Sequence, residues 1–98
     1  MFRTEALEKV DRDYFNIIVL EAYDVSVQSK NTGHYWTIHN TEYPGEGACV
    51  IYHKHRFRHP YHLHGRAPSL GRALRSIRKH DEWQMKRRRS AEYSGCGT

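Results

Sequence analysis

Long apolar runs and paired cysteines are what this 98-residue chain has least of. Its longest apolar run, Ile17–Leu20, is far below the roughly 18 residues that a membrane-spanning helix needs, and no apolar secretion signal opens the chain. The two cysteines, Cys49 and Cys96, form neither a CxxC pair nor a disulfide framework. We therefore expect a cytoplasmic protein, with reduced thiols, that neither enters nor crosses a membrane.

Signatures of catalysis and of nucleotide binding are also missing. The chain has no Ser-His-Asp order, no P-loop and no other glycine-rich phosphate-binding motif. Hydrophobic residues are 38% of the chain, below the usual value of roughly 45 to 50%, so the core should be small. We predict a single domain over residues 1–89 and a flexible tail over residues 90–98, with no enzymatic activity and no cofactor.

Negative charge is scarce in the second half of the chain. Between His53 and Arg89 there are twelve Lys and Arg residues, against only Asp81 and Glu82. The net charge of the whole chain is +5, so this span is far more basic than the average. One-sided positive charge is typical of proteins that bind nucleic acid or another acidic partner.

Part of this charge lies in a histidine-rich segment over residues 53–64. It contains five histidines and three permanent cations, with Phe57 and Tyr61 between them. Because charged side chains are rarely buried without a partner, we expect the segment to face water, a metal or an anion.

The periodicity predicts an α+β fold. A short helix from Thr4 to Val10 has Thr4 as its N-cap, and one strand runs from Phe15 through the alternating residues up to Val27. A turn at residues 30–33 leads to a second strand at residues 34–39, and a third covers residues 48–52, with an edge strand expected at residues 61–64. The result is a three- to four-stranded antiparallel sheet, packed on one face by a C-terminal helix.

That helix should begin after Ser69 as its N-cap, with Leu70, Ala73, Leu74 and Ile77 on the packed side. Asp81 falls on the same stripe, one turn after Ile77. A lone carboxylate is costly to bury. Either the packed part of the helix ends near residue 80, or Asp81 has a buried partner.

The order of elements resembles that of small nucleic-acid-binding domains, namely the double-stranded-RNA-binding domain and the three-stranded DNA-binding modules of integrases. In addition, the strings NTGHYW at residues 31–36 and HDEWQM at residues 80–85 resemble those of short, uncharacterised proteins of bacterial phages and mobile elements. The second resemblance implies an accessory role, such as DNA handling or inhibition of a host defence system.

These observations predict a non-enzymatic protein that binds nucleic acid, or a nucleoprotein complex, through a basic face. Cations would meet the phosphates and an aromatic ring would stack on unpaired bases. The alternative is a protein-binding inhibitor of the anti-CRISPR kind, which would block the nucleic-acid groove of a CRISPR effector. The candidate binding residues are Lys54, Arg56, Arg58, Arg66, Arg72, Arg75, Lys79, Trp83 and Lys86.

Two further hypotheses rest on the histidines. His53 and His55 share one face of a strand, as do His62 and His64, so a hairpin bent at Pro60 would bring the four together as metal ligands. Neighbouring cations oppose a divalent ion, so we assign no metal and expect exposed, titrating histidines. Separately, the string HLH at residues 62–64 resembles the His-hydrophobe-His motif of rolling-circle (HUH-type) nucleases, which implies Tyr93 as nucleophile.

Overall fold

A computed structural model describes residues 1–43 and 47–96, the last six of these by their backbone alone. A single five-stranded antiparallel sheet has its strands side by side in chain order. The strands are β1 (Phe15–Leu20), β2 (Asp24–Ser29), β3 (Tyr35–Asn40), β4 (Cys49–Lys54) and β5 (His62–Ala67), and the helices are α1 (Thr4–Glu8) and α2 (Leu70–Cys96). The α+β class is confirmed, with one strand more than the predicted range.

The additional strand comes from a hairpin within the segment that we predicted as one strand. β1 and β2 are joined by a tight turn, in which the Glu21 amide donates to the Asp24 carbonyl at 2.9 Å. No glycine or proline marks this turn, and the residues on both sides of it have strand character. The sequence pattern therefore continues through a point at which the chain reverses.

A β-bulge in β1 interrupts the regular pairing of its apolar run. Ile17 pairs with Val27 and Leu20 with Val25, but the register shifts between Ile17 and Val19. An extra residue in a strand is left unpaired and turns the neighbouring side chains. Ile18 consequently lies 52% exposed, although it belongs to a run of four apolar residues.

The hairpin between β2 and β3 agrees with the prediction. Gly33 has a positive φ of 77°, the left-handed conformation that glycine adopts without strain. The Gly33 amide donates to the Ser29 carbonyl at 2.9 Å, and the Ser29 amide donates to the His34 carbonyl at the same distance. This turn places His34 directly before β3.

The core lies between one face of the sheet and α2. Val25, Val27, Trp36, Ile38 and Ile51 supply the buried side chains of the sheet. Of the predicted stripe on α2, Leu70, Ala73 and Ile77 are buried in the core, and Leu74 is half-buried against it. We call this side of the sheet the inner face and the opposite side the open face.

The helix starts follow the capping prediction at α2 but not at α1. The Ser69 hydroxyl accepts a hydrogen bond from the Arg72 amide at 3.3 Å, as an N-cap side chain does. At α1, Thr4 is the first helical residue, and Arg3 occupies the N-cap position without a side-chain bond. A cap residue precedes the helix, so the helix starts one residue earlier than we predicted.

At its other end α2 continues to Cys96, well beyond residue 89. The flexibility proposed for residues 90–98 stays a prediction, and residues 97–98 lie outside the described part. Within that part, no helix combines the length and the apolar character that crossing a bilayer requires.

Candidate functional site

Six of the eight histidines converge on the inner face, around Trp36. The strand period of two explains part of this, because His53 follows Cys49 and Ile51 on the buried side of β4. A register irregularity where β4 pairs with β5 brings the second strand's histidines to the same place. We call the set the histidine cluster; its members are His34, His53, His55, His62, His64 and His80.

Trp36 forms the floor of the histidine cluster. Its ring is fully buried and stacks on His53, with the ring centroids 3.9 Å apart and the planes 16° apart. His64 and His80 meet the same indole edge-on, at 5.0 and 5.5 Å. The indole N–H donates to the Ser29 hydroxyl at 3.1 Å, which fixes the orientation of the ring.

Three members of the cluster approach one another through their ring nitrogens. One ring nitrogen from each of His34, His53 and His80 lies within 4.8 Å of the other two. His53 Nε2 and His34 Nδ1 are 3.0 Å apart and share a hydrogen bond. His80 Nε2 is buried without a hydrogen-bond partner among the described residues. The three rings come from β4, from the turn before β3 and from α2.

The environment keeps the buried histidines neutral at pH 7. Burial, followed by the neighbouring His34 and His55, lowers the pKa of His53 from 6.5 to about 3. For His34, burial comes first and then His55 and Arg88, and its pKa falls to about 4. Burial also lowers the pKa of His64 and of His80. The expectation of exposed, titrating histidines is therefore wrong for His53, although His55 and His62 are exposed.

Asp81 is part of the packed helix and has hydrogen-bond partners. This was the second of the two alternatives predicted for it. It is fully buried, and its carboxylate accepts hydrogen bonds from the Tyr14 hydroxyl at 2.9 Å and the Thr32 hydroxyl at 3.1 Å. Thr32 Oγ1 in turn accepts from the His34 amide at 3.2 Å. Asp81 thus connects α2 to the start of β1 and to the turn that carries His34.

Replacing Tyr14 with phenylalanine tests this connection. A hydrogen bond to a charged group contributes about 1.5 to 3 kcal/mol, so Tyr14→Phe should lower the free energy of unfolding by about that amount. The same bond and burial raise the pKa of Tyr14 to about 12. Urea denaturation measures the change, and Tyr52→Phe is the control, since its hydroxyl makes no hydrogen bond within the described part. Equal effects of both variants would contradict the role of Asp81.

The predicted binding residues on α2 are exposed and lie along one side of the helix. Arg72, Arg75 and Lys79 line a shallow groove with Ser76. Trp83 is 50% exposed, and the Arg87 guanidinium lies 4.8 Å from the centre of its ring. Lys86 is exposed one turn further along.

Lys54 lies on the open face, opposite to α2, where its charge already has partners. Its Nζ is 5.3, 5.1 and 4.4 Å from the ring centres of Tyr35, Phe57 and Tyr61, and it donates to the Phe57 carbonyl at 2.8 Å. Phe57 lies beside Lys54 because β4 ends at Lys54 and the chain turns.

The remaining three predicted residues lie on or beside the sheet. Arg56 and Arg58 are exposed in the connector between β4 and β5. Arg66 is paired across from Val50 on the open face, and its guanidinium donates to the Gly47 carbonyl at 3.3 Å. The structure thus divides the nine residues between α2 and the sheet, and which of them meet a partner stays a prediction.

The structure does not define the distance between the histidines and the tyrosine that the nuclease hypothesis requires. Leu63 pairs with Tyr52 and is 60% exposed, whereas His64 turns toward Trp36 in the cluster. The side chain of Tyr93 lies outside the described residues, so its distance from these histidines is not defined.

Sequence reasoning grouped His53 with His55, His62 and His64, and it missed two of the three histidines whose ring nitrogens approach one another. His34 has the same parity as Trp36 at the start of the second predicted strand, which indicates the inner face. His80 follows Ile77 by three residues, on the packed stripe of the helix. Both signals were present, but they lie far from the histidine-rich segment in the chain.

The fold and the site define an α+β protein with a buried histidine cluster and a basic helix. No protein-family model matches the chain, and neither a curated protein nor a solved structure is significantly similar to it.

Proposed function

We propose that this protein binds nucleic acid, without catalysing a reaction on it, through the exposed side of α2. The supporting observation is the charge of that helix. Between residues 70 and 90 it exposes eight Lys and Arg side chains and a single acidic one, Glu82, because Asp81 is buried. Such a surface attracts a polyanion and repels other cationic proteins.

The spacing of the charges suits an extended partner. Arg72, Arg75, Lys79, Trp83 and Lys86 follow one another at intervals of three or four residues, which places them on one side of the helix. At a rise of 1.5 Å per residue the stripe is about 21 Å long. An α-helix fits into the major groove of DNA, which is about 12 Å wide.

The second half of the helix contributes little to the core. From Glu82 to Ser90 no residue is buried, and although Arg88 turns back to the Thr32 carbonyl, Lys86, Arg87 and Arg89 are exposed. Trp83 presents an aromatic ring at the boundary, where an unpaired base could stack on it. Arg56 and Arg58 offer further cations at the connector.

Neutralising the stripe should weaken binding and reduce its dependence on salt. Arg72→Ala with Arg75→Ala and Lys79→Ala removes three phosphate contacts, so the slope of log K against log salt should fall by roughly 2 to 3. We expect affinity for duplex DNA to fall about 10- to 100-fold at low salt. Fluorescence anisotropy with labelled duplex DNA, single-stranded DNA and RNA measures both quantities.

A matched control variant distinguishes a specific binding site on α2 from an effect of net charge alone. Arg3, Lys9 and Arg12 are also three exposed cations, and their replacement by alanine changes the net charge by the same amount. This control should keep affinity within about threefold of the unchanged protein. Equal losses in the two triple variants would contradict a site on α2.

No binding of any nucleic acid at low salt would overturn the proposal. The basic side of α2 would then fit an acidic protein groove, as expected for an inhibitor of a host defence complex. A partner captured from a bacterial lysate equally well before and after nuclease treatment would support that alternative.

A further inference from the structure

The three rings that approach one another in the histidine cluster have the composition of a metal site. Neutral imidazole is the ligand that zinc, copper and nickel share, and His34, His53 and His80 are all held neutral and buried or half-buried. His80 Nε2 has no hydrogen-bond partner among the described residues, although it is buried. A buried nitrogen of this kind is costly unless something binds it.

The distances agree with tetrahedral coordination. Zinc binds histidine nitrogen at 2.0 to 2.1 Å, so two nitrogens on one ion are about 3.3 Å apart. His34 and His53 already place ring nitrogens 3.0 Å apart, with a single proton between them. The full set is within 4.8 Å, so the widest pair has to close by about 1.5 Å, which side-chain rotation can supply.

The charges around the site also favour a cation on one side. Asp81 is adjacent to His80 and buried, and no described side chain forms an ion pair with it. Its bonds to two hydroxyl groups leave the negative charge uncompensated. Through Thr32, the same carboxylate is connected to the backbone amide of His34. Asp81 therefore helps to hold the turn that carries His34 against α2, although it bonds to neither ring nitrogen of that histidine.

One neighbour opposes the ion. Arg88 Nη2 donates to the Thr32 carbonyl at 3.1 Å and is 3.5 Å from His34 Nε2. Its side chain is exposed and long, so it can move away when a cation binds. The residues from the histidine-rich segment that seemed to oppose a metal, Lys54 and Arg56, point to the open face or to solvent.

We propose that His34, His53 and His80 bind a divalent zinc-type ion through one ring nitrogen each, with a fourth position left for water or an exchangeable ligand. The ion replaces the proton between His34 and His53. The ring that donates this hydrogen bond carries its proton on its other nitrogen instead, so both ligands stay neutral and no proton is released to solvent. By joining β4, the turn before β3 and α2, it fixes the helix on the sheet. This inference does not depend on nucleic-acid binding.

The test uses the full chain without a histidine tag. Zinc and cobalt are titrated separately by isothermal calorimetry, in two buffers of different ionisation enthalpy. We expect one ion per chain, the same binding heat in both buffers because the neutral histidines release no proton, and a cobalt spectrum typical of tetrahedral nitrogen ligands. His53→Gln and His80→Gln should each weaken binding by about 100-fold or more, above the 10- to 100-fold effect of an outer-shell residue.

The controls are the two histidines outside the cluster. His39 pairs with Asp24 on the open face and His59 is exposed in the connector, so His39→Gln and His59→Gln should leave zinc affinity unchanged. Less than one bound ion at 100 μM zinc, or equal losses in control and cluster variants, would overturn the proposal. Retention of full affinity by His80→Gln would also overturn it.

Replacing Arg88 should strengthen zinc binding, whereas the histidine variants weaken it. A misfolded protein could not bind zinc more tightly. Arg88→Gln removes the cation beside His34 and should strengthen zinc binding about three- to tenfold. Arg89→Gln changes the same charge at the next exposed position and should have no effect. Weaker or unchanged binding in Arg88→Gln would count against a metal ion at this place.

Discussion

Replacing Trp36 with alanine should lower the free energy of unfolding by about 5 kcal/mol. Deleting a buried tryptophan costs about 3 to 5 kcal/mol, because the cavity that it leaves cannot fully collapse. The Ser29 hydroxyl would in addition lose its partner, at a cost of about 1 to 3 kcal/mol. A domain of this length has roughly 5 to 15 kcal/mol in total, so a large part of its stability would be lost.

The second tryptophan of the chain is the natural control. Trp83 is 50% exposed, so Trp83→Ala should cost less than about 1 kcal/mol. Guanidinium denaturation followed by far-ultraviolet circular dichroism measures both variants without relying on tryptophan fluorescence. Similar midpoints for the two variants would show that the indole under the histidine cluster is not the centre of the core.

The parts of the fold that were predictable are those in which local periodicity and packing agree. The alternation of Val25 and Val27, and the helical stripe of Leu70, Ala73 and Ile77, identified buried faces that the structure confirms. Gly33 identified its turn because the conformation there requires φ above zero. In each case a residue type and its position have a single good structural explanation.

The errors arose where tertiary structure decides between equivalent local patterns. Nothing in the residues around Glu21 distinguishes a continued strand from a reversal, and the bulge at Ile18 exposes a residue that propensity alone would bury. His53 was expected outside because its sequence neighbours are charged. In the structure, however, alternation separates it from Lys54, which lies on the other face of the same strand.

The candidate site also depends on tertiary structure, because its residues lie far apart in the chain. His34, His53 and His80 are separated by 19 and 27 positions in the chain, and only the sheet register and the docking of α2 bring them together. The sequence could indicate that each of them faces inward. Their mutual distances depend on contacts that no local pattern contains.

Acidification should destabilise the folded protein, because the buried histidines resist protonation. The pKa of His53 is about 3 and that of His34 about 4, against 6.5 for an ordinary histidine. Well above pH 6.5 both residues are neutral in the folded and the unfolded chain, so they make no pH-dependent contribution to stability there. As the pH falls below 6.5 the unfolded chain takes up protons that the folded chain does not, so unfolding becomes easier.

At pH 5 each of the two histidines should account for about 2 kcal/mol of lost stability, and the loss should level off only below their folded-state pKa values. The groups that face them and oppose their protonation are His55, His64, His80 and Arg88, while Asp81 favours the charged form of His80 alone. Denaturant unfolding at pH 7 and pH 5, with a chelator present, should therefore show a loss of stability to which His34 and His53 together contribute about 4 kcal/mol.

A variant that lacks the titratable ring of His53 tests whether the loss of stability at pH 5 comes from the histidine cluster. His53→Phe keeps an aromatic ring against Trp36 and should reduce the loss between pH 7 and pH 5 by about 2 kcal/mol, whatever its own stability at pH 7. His59→Gln removes an exposed histidine and should leave the loss unchanged. If His53→Phe lost as much stability on acidification as the unchanged protein, protonation of the buried pair would not be its cause.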